Sequence, residues 1–131
     1  MIRKPLKKEI PTECISWRWN GNLGDDMIFA AQEAMFRDFL NLGQYISNPE
    51  ALLIGGGTFV PKFPHHPDLV KLSQQLPTAF FGTGIGDPFF WGTDHIPSWL
   101  EILRNSQFIG VRGPLSKRRL EDWGEIGRAH V

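Results

Sequence analysis

Cysteine is nearly missing. Cys14 stands alone in 131 residues, so no intrachain disulfide and no cysteine zinc cluster can form, as fits a reducing compartment. Long hydrophobic runs are missing too: no stretch approaches the ~20 apolar residues that cross a bilayer as a helix. The opening MIRKPLKKEI has the cations of a signal peptide but no apolar segment behind them, and the cytoplasm is the expected location. Nor is there an excess of either charge. Fourteen basic and 14 acidic residues cancel, which argues against a nucleic-acid-binding surface and leaves only local patches. With 41% hydrophobic and 21% charged residues the composition is that of a soluble globular protein. Repeats, low-complexity segments and internal domain boundaries are absent from the sequence.

What the sequence does have is glycine in clusters, and the clusters recur in a fixed context. A short apolar run ends in glycines, a polar or helical stretch follows, and another apolar run begins. Strands are expected at 13–19, 51–54, 78–81 and 108–111, and helices at 25–42, 68–75, 97–105 and 114–123. On the first helix Ile28, Ala31, Met35, Phe39 and Leu42 form one apolar stripe at helical spacing. Asp25 is placed to cap it and Gly43 to end it. Residues 87–95 read as loop, with Phe89, Phe90 and Trp91 packed over the sheet edge in preference to stacking on a sugar. Four strand–helix alternations imply a parallel sheet with crossover helices, a Rossmann-like α/β fold.

In such a sheet ligands bind beyond the carboxyl ends of the strands. The glycines gather there: Gly21 and Gly24 after the first strand, Gly55, Gly56 and Gly57 after the second, and Gly82, Gly84 and Gly86 after the third. Arg112 follows the fourth strand directly. Bare peptide N–H groups beside helix N-termini attract anions, and a guanidinium grips a carboxylate or phosphate at two points. The pattern fits a small anionic or densely hydroxylated ligand pressed against main chain. A turn that needs positive φ explains any single glycine cluster equally well. Arg112 is the strongest candidate, because a charge next to a buried strand is costly unless partnered.

Several familiar sites are excluded. GTGIG runs into Asp87 and Pro88 instead of a helix, so it is not a dinucleotide fingerprint, and GGGTFVP lacks the Lys-Ser/Thr of a P-loop. His65 and His66 are adjacent and give no zinc pair on a helix face. No metal-ligand cluster and no cofactor is expected. Lys117, Arg118 and Arg119 read as a solvated helix face. Residues 125–131, EIGRAHV, correspond to GAG ATC GGA AGA GCA CAC GTC, a sequencing-adapter string. They are expected to be a non-native tail behind a native lobe of residues 1–124.

Four segments in order, NLGDDMI (22–28), ALLIGGGTFV (51–60), FFGTGIGDP (80–88) and VRGPLSKRRLEDWG (111–124), resemble the polysaccharide pyruvyl transferase family. The resemblance implies a transferase that moves an enolpyruvyl-derived group from phosphoenolpyruvate onto two hydroxyls of a sugar in a polysaccharide or its precursor. It also implies a two-lobed, glycosyltransferase-B-like architecture of which this chain is the N-terminal lobe, with no turnover by the lobe alone. By motif correspondence Asn22, Gly24 and Asp25 fall on the family's Asn-x-Gly-Asp. Asp25 would orient a sugar hydroxyl or accept its proton, and Arg112 would be the anion-gripping arginine. The family's Asp after that arginine is Gly113 here. Two other readings share the glycine-rich exits: a glycosyltransferase or other sugar-nucleotide enzyme, and a non-catalytic sugar- or phosphate-binding module.

Overall fold

The computed structural model describes residues 9–16, 23–55, 58–60, 68–124 and 128–131. Along them run β1 (Ile10–Ile15), α1 (Leu23–Phe36), β2 (Leu40–Gly43), β3 (Ala51–Gly55), β4 (Thr58–Val60) and α2 (Leu69–Gln75). β5 (Thr78–Ile85), α3 (Pro88–Trp91), α4 (Ile96–Asn105), β6 (Phe108–Val111), α5 (Pro114–Asp122) and β7 (Ala129–His130) follow. Six strands pair in parallel in the order β2-β1-β3-β5-β6-β7, and β4 pairs with the far end of β5. The α/β, Rossmann-like expectation is met.

Alternation along each strand sends its apolar side chains to two opposite faces. On one, Cys14 and Leu53 pack with Phe29 and Leu42, and Phe36 and Phe81 close over them edge to face. On the other, Leu52, Ile54, Phe80 and Ile109 pack against Leu69 of α2, Trp99, Ile102 and Leu103 of α4, and Leu120 of α5. Each such side chain, fully buried, stabilises the fold by about 1.5–3 kcal/mol relative to exposure. α1 thus covers one face, and α2, α4 and α5 the other. The chain steps from β1 to β2 in one direction and from β3 onward in the opposite one. The reversal lies between β1 and β3, a topological switch point.

Three departures from the sequence reading bear on the site. β1 begins three residues earlier than expected and ends at Ile15; residues 17–19 of the expected strand lie outside the described residues. α1 stops at Phe36, and residues expected to continue it form β2, paired with β1 from Ile10↔Leu40 to Glu13↔Gly43. Its buried face is also one position off the expected stripe: Phe29 and Gln32 are buried, whereas Met35 is 58% exposed. A polar residue on the inner face defeats a pattern drawn from apolar residues alone. Third, β5 runs to Ile85, four residues past the expected end, so Gly82 and Gly84 lie within the strand and only Gly86 lies beyond it. Ala129 is buried in the main core, its strand pairs with β6, and Arg128 donates to the carbonyls of Arg104 and Ser106.

Candidate functional site

The carboxyl ends of β1, β3, β5 and β6 form one rim, and the segments singled out in the sequence lie along it. β1 and β3 end level with each other, Ile15 opposite Ile54. Gly24 and Asp25 sit in the first turn of α1, just past the β1 exit. The helix starts at Leu23, before Asp25, so Asp25 is a first-turn residue and not the cap. Asn22, Gly56, Gly57, His65 and His66 lie outside the described residues.

Gly55 ends β3 opposite Phe81. A Cβ there would lie 2.3 Å from the Phe81 carbonyl oxygen and 2.6 Å from Gln32 Nε2. The body that excludes a side chain at Gly55 is therefore the protein's own backbone. Gln32, reaching from α1, donates Nε2 to the same Phe81 carbonyl at 3.0 Å, and its buried Oε1 has no hydrogen-bond partner among the described residues. Gly82 has an internal reason of a different kind: φ is 71°, and the β5–β6 register shifts between Phe80 and Thr83 around it. That bulge needs a residue tolerant of positive φ. Gly84 pairs with Thr58 of β4, and Gly84 and Gly86 are both buried.

Thr83, inside the same GTGIG segment, joins two of the expected site segments. Its hydroxyl donates to the Ile54 carbonyl at 3.1 Å, and its own carbonyl accepts the Arg112 N–H at 3.1 Å. The end of β3 and the backbone of Arg112 are therefore tied to one fully buried residue. β3 and β6 flank β5, so their exits are two strand spacings, roughly 10 Å, apart. The Arg112 side chain is exposed, and no hydrogen bond or ion pair holds it among the described residues. It bears no desolvation cost, contrary to expectation, and its donors face solvent.

α5 begins at this rim. Gly113 occupies its N-cap in extended conformation (φ −172°, ψ 176°) without a side-chain cap, and Pro114 takes the first helical position. A Cβ at Gly113 would meet nothing within 4 Å, so the family's aspartate fits there sterically. Two α5 side chains reach back to the last residue of β5. Ser116 Oγ accepts the Ile85 N–H at 3.1 Å, and Arg119 Nη1 donates to the Ile85 carbonyl at 2.8 Å. Arg119 is half-buried, not part of a solvated face.

Beyond Gly86, Asp87 accepts the Phe89 N–H at 2.9 Å and caps the single turn α3, which Gly92 closes at φ 87°. Phe89 is 98% exposed and Phe90 78%. The Phe89 ring therefore does not pack over the sheet edge as expected, and the Trp91 side chain lies outside what the structure describes. A groove of about 260 Å³ lies over β5, β6 and β7, lined by Phe81, Gly82, Phe108, Gly110, Val111 and His130, so it takes in one of the predicted site glycines and the residue before Arg112.

A model of the polysaccharide pyruvyl transferase family matches residues 22–131. The chain belongs to that family. The match takes in all four segments that carry the resemblance; their described residues include β3 and the end of β5 and the starts of α1 and α5, which come after β1 and β6 in the chain. Comparison with curated proteins gives no significant match, and comparison with solved structures gives none either. No helix among the described residues is long and apolar enough to cross a membrane.

Sequence reasoning missed Thr83, Ser116, Arg119 and Gln32. Thr83 was hidden among glycines that drew the attention. Ser116 and Arg119 carry a readable signal, a 3-residue spacing on one face of α5, with Arg119 in its last turn. Gln32 carries none, since its partner is a main-chain carbonyl 49 residues away.

Proposed function

We propose that this chain forms the donor-binding wall of an enzyme that converts two sugar hydroxyls into a pyruvate ketal at the expense of phosphoenolpyruvate. The observation that carries the reading is the family match over residues 22–131. In the reaction the methylene of phosphoenolpyruvate takes up a proton and becomes the ketal methyl. Two sugar oxygens bond to the neighbouring carbon, and the phosphate leaves with the second hydroxyl proton.

The donor carries a phosphate and a carboxylate on a small frame, and the transition state is stabilised where preorganised donors meet its charge. Arg112, exposed and anchored through its backbone to Thr83, supplies a bidentate fork for one of these anions. Gly86, directly past the end of β5, offers main-chain groups beside it. Asp25, in the first turn of α1, orients a sugar hydroxyl or accepts its proton, with Gly24 and Asn22 completing that corner. The remaining binding groups come from a second lobe facing this rim, and the acceptor is a saccharide of a polysaccharide or its precursor.

Thermal denaturation with added ligand tests the reading. Phosphoenolpyruvate at millimolar concentration is expected to raise the midpoint of the 131-residue chain, and a uridine diphosphate sugar is not. The reverse pattern would replace ketal chemistry with glycosyl transfer.

A further inference from the structure

We propose that Arg119 is a second anion-binding group of the rim, holding whichever charged group of the ligand Arg112 does not; this rests on the dianionic-donor reading above. Ile85 is the last residue of β5, flanked by Gly84 and Gly86. Both polar groups of its backbone are held from α5, the N–H by Ser116 and the carbonyl by Arg119. These bonds fix the guanidinium at the glycine exit. Arg112 is tied to Thr83, two residues back along β5, and two residues of extended chain span roughly 6.6 Å. The backbone of Arg112 and the guanidinium of Arg119 are therefore anchored two residues apart on β5.

Arg119 is half-buried, yet its one hydrogen bond among the described residues goes to a neutral carbonyl, and no carboxylate pairs with it. A guanidinium has five N–H donors in a planar fork. One is spent on Ile85, which positions the fork, and the rest remain for a ligand. Partly desolvated cations in proteins are normally matched by an anion. Here the protein's described residues provide none, and a phosphate or carboxylate on the ligand does. A second arginine also accounts for how one small rim distinguishes a doubly charged donor from a singly charged one.

The competing explanation is that Arg119 only fastens α5 to β5. Two substitutions separate the possibilities. Arg119→Gln keeps a polar N–H donor on a shorter side chain and has no charge; Arg119→Lys keeps the charge but loses the fork. Calorimetric titration of the 131-residue chain with phosphoenolpyruvate, and separately with inorganic phosphate, is read beside the thermal midpoint. Arg119→Gln is expected to fold normally and bind phosphoenolpyruvate about tenfold more weakly or worse, as when a charged hydrogen bond is replaced by a neutral one. Arg119→Lys should recover most of that loss. Unchanged affinity in Arg119→Gln would overturn the inference and leave the donor reading intact. So would an equal loss in both variants accompanied by a lowered midpoint. Arg119-dependent binding of phosphate without binding of phosphoenolpyruvate would uphold the anion site and remove the donor reading. A wild-type chain that takes up neither anion would end both.

Discussion

Glu13 accepts the N–H of Tyr45 at 2.7 Å and that of Ile46 at 3.0 Å. The carboxylate is buried in β1, and the bonds hold Tyr45 at φ 54°, left-handed backbone that a bulky residue seldom adopts. The turn after β2 is thereby clamped beside the exit of β1, where Gln44 Nε2 also reaches Ser16 Oγ. Replacing Glu13 by Ala removes both acceptors and releases the strained turn. A loss of roughly 2–4 kcal/mol is expected, since each bond to a charged group contributes about 1.5–3 kcal/mol. Glu13→Gln retains one acceptor oxygen and should lose about half as much. Urea denaturation of the two variants measures the difference.

Gly55 and Gly82 separate two reasons for glycine. Gly55→Ala drives a methyl group into the Phe81 carbonyl, a contact with backbone that cannot swing aside; a cost of about 2–3 kcal/mol is expected. At Gly82 a methyl group has open space, and only the positive φ opposes it; about 1–2 kcal/mol is expected. Denaturation midpoints that came out equal, or in the reverse order, would contradict this assignment.

Gly113→Asp should stabilise the chain. The site is sterically open, the backbone is extended, and α5 lacks a side-chain cap. An aspartate there supplies the cap, favours the helix dipole and restricts the unfolded chain, together worth about 0.5–1 kcal/mol. A lower melting temperature in the variant would show that the open space serves something other than a cap.

Arg112→Ala should leave stability within about 0.5 kcal/mol, because the side chain is exposed and unbonded among the described residues. Affinity for phosphoenolpyruvate should fall by about tenfold or more. A chain that unfolds on this substitution, by circular dichroism, would make Arg112 a structural residue.

Much of the architecture was readable because parallel strands buried on both faces announce themselves as short apolar runs. ALLI and FIGV needed only their glycines to mark where they stop. β2 was not readable, since Leu40–Gly43 continues an apolar spacing begun in α1 and only pairing with β1 makes it a strand. The site was legible as a set of segments but not as a set of contacts. Glycines at strand exits look alike in sequence, whether the intruder is the Phe81 carbonyl, a bulge or a ligand. Arg112 stood out for a burial it does not have, whereas Arg119, half-buried, passed as surface. In each case the deciding partner is a main-chain atom from a distant segment, which side-chain patterns do not encode.

β3 and β4 both lie against β5, Gly55 opposite Phe81 and Thr58 opposite Gly84. Each chain advances three residues across the interval, so the two-glycine break is measured out by its neighbour as if by a ruler. Sliding β4 by one residue along β5 would break the pairing of Thr58 with Gly84. Substitution within this stretch is thus a matter of bulk, but its length is not free to drift.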